Sequence, residues 1–237
     1  MQWSSEGLII GVRRHGETSV IVEIMAAGRG RQLGLVRGGR SQKLAPMLQP
    51  GNSVIATWRA RLEDHLGTFA LEPLQSRAAA LILDRRRLYL AQVLCEHLHL
   101  LPERDPHDRL LGMTLDLLDG DDGMEAMGRG LAEFELVLLD ELGFGLDFSS
   151  CAATGVTEDL AFVSPRSGRA VSRAAAEPYI DRLLRLPPFL LDGTAQRVGD
   201  IGDALRLTGH FLDLHVWMAR NIEPPAMREG LLRLLGT

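Results

Sequence analysis

The sequence predicts an α+β protein of two domains: an N-terminal OB-fold β-barrel, then an α-helical domain with a small irregular insert. Three observations carry this. Over roughly the first 75 residues, apolar side chains recur with period two between glycine-rich turns, the pattern of short half-buried strands. From Arg77 onward the period becomes that of helices. The charge changes sign at about the same place. Residues 1–80 hold ten Lys/Arg against six Asp/Glu, and the remainder hold 16 against 25, so a net −5 conceals a basic front (+4) and an acidic back (−9). The expected domains are 1–77 and 78–237, with the insert at 147–172.

Strands are expected at 8–13, 19–25, 32–37, 53–62 and 66–71. In the second, Val20, Val22 and Ile24 share one face; in the fourth, Val54, Ala56, Trp58 and Ala60 do. Turns at His15 to Glu17, Gly28 to Gly30, Gly38–Gly39 and Pro50 to Asn52 separate them. Five short strands with a longer link between the third and fourth suit a Greek-key barrel of the OB type. Helices follow at 78–101, closed by Pro102, and at 107–118 and 124–142. The loop around Asp121 and Asp122 joins the last two. An irregular stretch at 147–171 precedes helices at 172–184 (with Ser172 as N-cap), 195–221 and 225–235.

At 237 residues, 46% hydrophobic and 24% charged, the chain has the composition of an ordinary globular protein. No apolar run approaches the ~18 residues of a membrane span, so no membrane partner is expected. The N-terminus shows neither a basic nor an apolar leader segment, and two cysteines make no disulfide framework. A cytoplasmic, nucleoid-associated protein is expected.

Enzymatic motifs are missing. Gly28-x-Gly30-x-x-x-Gly34 has the wrong spacing for a dinucleotide fingerprint, and no P-loop, nucleophile elbow or His-Glu-x-x-His occurs. Cys95 and His99 share a helix face while His97 points elsewhere, so the group reads as a buried cysteine among surface histidines. Glu133 and Glu135 lie on different faces of a helix and read as surface charge. With no catalytic constellation, a binding protein is expected rather than an enzyme.

The strongest signal is a window free of carboxylates between Glu23 and Glu63 that holds seven cations. Arg29, Arg31, Arg37, Arg40 and Lys43 are the expected phosphate contacts, flanked by Arg13, Arg14, Arg59 and Arg61. Gly38 and Gly39 allow close backbone approach to a strand. Aromatic residues are scarce in this region, only Trp3, Trp58 and Phe69, and Trp58 falls on the core face. Binding is therefore expected to rest on charge more than on base stacking.

The order of several motifs resembles the RecO family of recombination mediators in bacterial DNA repair. They are the strand and turn of 11–18, Leu35-Val-Arg-Gly-Gly-Arg-Ser41, Leu48-Gln-Pro-Gly51, Leu66-Gly-Thr-Phe-Ala-Leu-Glu72, Phe134-Glu-Leu-x-Leu-Leu-x-Glu-Leu-Gly143 and the stretch 162–172. The resemblance implies an OB-fold and a helical domain whose small insert often binds zinc. It implies binding of single- and double-stranded DNA, strand annealing, and recombinase loading onto DNA coated by single-strand-binding protein. The implied partners are RecR and the C-terminal tail of single-strand-binding protein. Many relatives carry four cysteines around the insert; here Cys151 stands alone, so no zinc and no other cofactor is expected. Arg85, Arg86 and Arg87, at the head of a Leu-rich helix, are the candidate contacts for the carboxylates of such a tail. The alternative is a protein-interaction adaptor whose helical domain recruits partners, with DNA contact minor.

Overall fold

The structure is a computed structural model that describes residues 1–62, 65–120, 123–193, 197 and 199–237. The loop residues Asp121 and Asp122, and Ala195 at the expected start of a helix, lie outside the described residues. The chain forms two compact units, Met1–Asp119 and Gly120–Thr237. No described helix is long and apolar enough to cross a membrane.

In the first unit, β1 (Gln2–His15), β2 (Ser19–Ala26), β3 (Gly30–Val36), β4 (Ser53–Arg59) and β5 (Thr68–Gln75) close into a barrel in the order β1-β2-β3-β5-β4. All pairings are antiparallel except the closing one, where Leu35 of β3 meets Thr68 of β5 in parallel. β1 serves two neighbours. Its first half pairs with β4 and its second with β2, and Gly7 belongs to both ladders, opposite Val54 and Ala26. A Cβ there would stand 2.4 Å from the Ile24 side chain, so the change of partner needs glycine.

The expected core faces are the observed ones: Val20, Val22 and Ile24 pack with Val54, Ala56, Trp58, Ile9 and Phe69. The Trp58 indole N–H donates to the Leu33 and Leu66 carbonyls, each at 3.1 Å, which satisfies the one polar atom of this buried ring. Leu8, Ile10, Ile21 and Met25, which point out of the barrel, are buried as well.

Strands give way to helices at the expected point, but the packing units do not divide there. α1 (Ala78–Leu83), α2 (Arg85–Leu98) and α3 (Asp108–Asp119) belong to the barrel's unit. α2 lies against β1. Arg77 fastens the junction. Its buried guanidinium donates to the Ser53 hydroxyl at 2.7 Å and to both Asp119 oxygens, holding that carboxyl below its usual range. Asn52 Oδ1 accepts from the Arg77 and Ala78 N–H groups at 2.7 and 3.0 Å, capping α1 from the turn that precedes β4.

The single helix expected at 78–101 is two. Asp84 is extended, and its carboxylate accepts from the Arg86 N–H at 2.9 Å, so it starts α2 as an N-cap. The histidines are not all at the surface either: His97 is fully buried, its Nδ1 2.7 Å from the Val93 carbonyl.

In the second unit α4 (Met124–Glu141) packs on α7 (Asp200–Leu212), which continues through a π-turn at Asp213–Trp217 into α8 (Met218–Arg220). α9 (Ala226–Leu235) also packs on α4. The expected irregular stretch contains β6 (Leu160–Val163) and β7 (Ala170–Ser172). The helix expected at 172–184 is only one turn, α5 (Arg173–Ala176). Pro178 then enters a 3-10 turn, and the chain extends as β8 (Leu184–Arg185) to complete a sheet in the order β7-β6-β8. α6 (Phe189–Asp192) follows the Pro187–Pro188 break.

Glu135 is the clearest correction. It is fully buried, not surface charge. Arg228 of α9 donates to both its oxygens at 2.8 Å, and the Thr208 hydroxyl of α7 donates to one of them. Arg228 also lies 5.7 Å from the Trp217 ring centroid. Burial works against the Arg228 charge, but the Glu135 carboxylate outweighs it and raises the pKa.

Candidate nucleic-acid interface

The barrel displays its cations as two groups at opposite ends of β3. β3 has seven residues, which at ~3.3 Å per residue separates the groups by roughly 20 Å. The first group surrounds the β1–β2 turn. Arg14 pairs across the sheet with Val20, and Val20 with Val36, so Arg13 and Arg14 stand beside the loop carrying Arg37, Arg40 and Lys43. All five side chains are exposed. Arg14 and Arg40 line an open groove of about 500 Å³ floored by Val20 and Leu48.

Local chemistry fixes this loop. The Arg40 N–H donates to the Thr18 carbonyl at 3.1 Å, and its guanidinium donates to the Glu17 carbonyl. Gly38 turns the chain at φ +65°. A Cβ on Gly39 would lie 2.5 Å from Val20 Cγ2. The two glycines therefore let the loop close down on the barrel, so their close approach is to the protein's own core.

The second group holds Arg29 in the β2–β3 turn; Arg59 and Arg61 lie at and beyond the end of β4, where Arg59 pairs with Gln2 of β1 on one side and on the other with Thr68, the residue that meets Leu35. Arg104, far along the sequence from the basic window, lines the same groove as Arg29. Its sequence neighbourhood gave no sign of this; only the 103–106 loop, laid against the β2–β3 turn, reveals it.

Arg31 does not join either surface. Its guanidinium pairs with Glu23 and donates to the Leu101 carbonyl at 2.9 Å, and Glu103 lies 4.0 Å away. It works as an internal tie rather than as an exposed cation. By contrast, among the described residues no carboxylate pairs with Arg13, Arg14, Arg29, Arg37, Arg40, Lys43, Arg59 or Arg61. Such uncompensated cations are what a polyanion requires.

The three arginines heading α2 divide. Arg86 is held by Asp84, and Arg87 donates to the Leu118 carbonyl at 2.8 Å. Arg85 is exposed, lying over Tyr89 and bonding its hydroxyl at 3.0 Å. Near them an apolar groove of about 190 Å³ is lined by Pro50, Leu81, Ile82 and Leu88, with Ile82 and Leu83 largely exposed.

In the insert, the Cys151 sulfur accepts from the Ser172 N–H at 3.2 Å and its hydroxyl at 3.4 Å. Burial opposes ionisation of this thiol, but hydrogen bonds from Ser172, Thr154 and Ala153 outweigh it and bring the pKa to about 6. One sulfur among hydroxyl and amide donors does not fit a tetrahedral zinc site. No group of three or more potential metal ligands occurs among the described residues. Cys95 is the opposite case, its thiol pushed up to about 12 by burial.

Comparison with known proteins agrees with this architecture. Residues 1–77 match the family described as Recombination protein O N terminal, and residues 82–221 match Recombination protein O C terminal. The DNA repair protein RecO of Xanthobacter autotrophicus is 54% identical over 224 residues, covering 94% of this chain and 90% of the relative. The protein of the same name from Mesorhizobium japonicum is 52% identical, covering 99% and 94%. That from Methylobacterium nodulans is 52% identical, covering 100% and 98%.

Proposed function

The chain belongs to the RecO family of DNA repair and recombination proteins, and from that premise we propose that it is a non-enzymatic recombination mediator. It binds single- and double-stranded DNA through the barrel and anneals complementary strands. Together with RecR, it helps load recombinase onto DNA coated by single-strand-binding protein. The carrying observation is the set of exposed barrel cations without carboxylate partners. Annealing requires two polyanions to approach each other. Cations at both ends of β3 lower that repulsion by neutralising phosphates on each strand.

The test is annealing of complementary oligonucleotides precoated with single-strand-binding protein. Acceleration by the wild type and its loss in a variant with Arg37, Arg40 and Lys43 replaced by Ala support the reading. Equal rates with and without the protein overturn it.

A second reading, the adaptor, is favoured by the exposed Ile82 and Leu83 beside an apolar groove, with Arg85 nearby. An acidic, apolar-ended tail such as that of single-strand-binding protein matches this chemistry, because its carboxylates meet Arg85 while its apolar end enters the groove. Full-length protein that binds the tail peptide but no DNA at low salt favours the adaptor over the mediator.

A further inference from the structure

The two cation groups differ in one respect: only the second contains a tryptophan, tyrosine or phenylalanine ring. Trp3, the second residue of β1, is partly exposed and lines a groove of about 510 Å³ with Gln2, Arg29, Gln32 and Arg104. The volume lies in the range of small-molecule sites. The ring is rigidly mounted. It stacks on Trp58 at 5.9 Å and 15°, and Phe69 meets it edge-on at 6.1 Å. The Arg29 guanidinium lies over it, 5.9 Å from the centroid.

The surroundings hold this arrangement in place. The Gly28 N–H donates to Asp108 at 2.7 Å, and the Gln32 amide donates to the Arg29 carbonyl at 3.0 Å, so the turn bearing Arg29 is clamped on both sides. Gly30 lets the opposite loop in: a Cβ there would lie 1.9 Å from the Asp105 carbonyl oxygen. Arg104 adopts φ +63°, a left-handed conformation that costs a non-glycine residue energy, and its N–H donates to the Arg31 carbonyl at 2.9 Å. Of the nearby carboxylates, Glu23 pairs with Arg31, Glu103 lies 4.0 Å from it, Asp108 accepts from the Gly28 N–H, and exposed Asp105 lies 3.6 Å from His107 Nε2. No carboxylate pairs with Arg29 or Arg104 among the described residues.

We infer that this groove is a stacking subsite for an unpaired nucleobase of single-stranded DNA, with Trp3 as the platform and Arg29 and Arg104 on the adjoining phosphates. Every base offers a π-face, so such a platform is indifferent to sequence yet selective for unpaired strands. In the free protein the exposed, flexible Arg29 side chain covers the ring. An entering base displaces it, and it turns to the backbone. The Arg14 and Arg40 groove offers no ring and takes phosphate from single strands and duplex alike. The inference rests on the DNA-binding reading above and adds strand selectivity to it.

The experiment compares full-length wild type, Trp3→Ala and Trp3→Phe by fluorescence anisotropy on oligo-thymidylate, an abasic strand of the same length, and a duplex. Trp3→Ala should weaken oligo-thymidylate binding roughly tenfold. Binding to the abasic strand and the duplex should change by less than about twofold, and Trp3→Phe should keep most of the affinity. Because Trp3 also packs on the core, wild-type tryptophan emission provides a second measurement. Oligo-thymidylate should quench it and the abasic strand should not, since Trp58 and Trp217 are buried. Equal losses on all three ligands, unchanged affinity, or equal quenching by both strands overturns the inference while leaving DNA binding intact. A wild type that binds none of the three overturns both.

Discussion

The arginines of the two units are chemically the same but differ in what surrounds them. In the second unit Arg129, Arg169, Arg173, Arg185, Arg206, Arg228 and Arg233 each face a carboxylate, whereas Arg166 and Arg182 face none among the described residues. Around the barrel, Arg13, Arg14, Arg29, Arg37, Arg40, Arg59 and Arg61 face none among the described residues. Number of cations is therefore a poor guide to where an anion will bind; what matters is how many lack internal partners. The barrel makes the same point within itself, because Arg29 and Arg31 are two residues apart and only Arg31 is tied down.

The largest expected effect breaks the ion pair whose carboxylate, Glu135, is fully buried. Arg228→Ala removes the guanidinium that donates to both oxygens of the buried Glu135 carboxylate, at a cost of about 3–5 kcal/mol in stability, read by urea unfolding. Pairing Arg228→Met with Glu135→Leu should recover most of the loss, because no buried charge remains. If Arg228→Ala unfolds like the wild type, the pair is not the fastener described.

Next comes the comparison itself. Replacing Arg37, Arg40 and Lys43 by Ala should reduce the salt dependence of DNA binding by about one unit of slope per lost phosphate contact. Replacing the paired Arg169, Arg173 and Arg233 should leave affinity and slope as they were. Equal responses in a salt titration would dissolve the distinction between the two sets.

A smaller effect separates the neighbours. Arg31→Ala should lower stability by about 1 kcal/mol and leave the salt slope unchanged, whereas Arg29→Ala should do the reverse. Thermal unfolding and the same titration read both.

The smallest effect concerns the insert. The Cys151 pKa is about 6 in the fold against an ordinary 9.0. The resulting stabilisation is present above about pH 9, and declines as pH falls to about 6, where the folded thiolate is protonated. A thiolate absorbance titration should show one step near 6 that vanishes in Cys151→Ser. We further propose that the insert is metal-free, so chelator should leave the unfolding midpoint unchanged, and metal analysis should find no stoichiometric zinc.

Much of the barrel was legible because period-two burial is local: the faces of Val20, Val22 and Ile24 and of Val54, Ala56 and Trp58 follow from the pleat alone. What was hidden depends on distant partners. The fate of Arg31 is decided by Glu23 across the sheet and by Leu101 beyond α2. Glu135 looked like solvent charge by residue type, although it sits four residues from Leu131 and three from Leu138, both core positions. That spacing was the available sign. Asp84 likewise could be read as a helix start within the apolar pattern, whereas nothing near Arg104 in sequence pointed to the Trp3 groove.

The closure of the barrel has a further consequence. A five-stranded sheet left open would expose unpaired backbone along its edges, a template for any extended chain. Here β3 meets β5 at Leu35 and Thr68, and the Leu35 N–H also bonds the Gly67 carbonyl at 3.0 Å. The seam closes at that one residue pair, and a bridge from Arg31 to Glu103 covers β3 further along, so a partner's strand finds short stretches of edge rather than one long one. A protein proposed to bring extended strands of nucleic acid together thus leaves only short edges of its own to be joined.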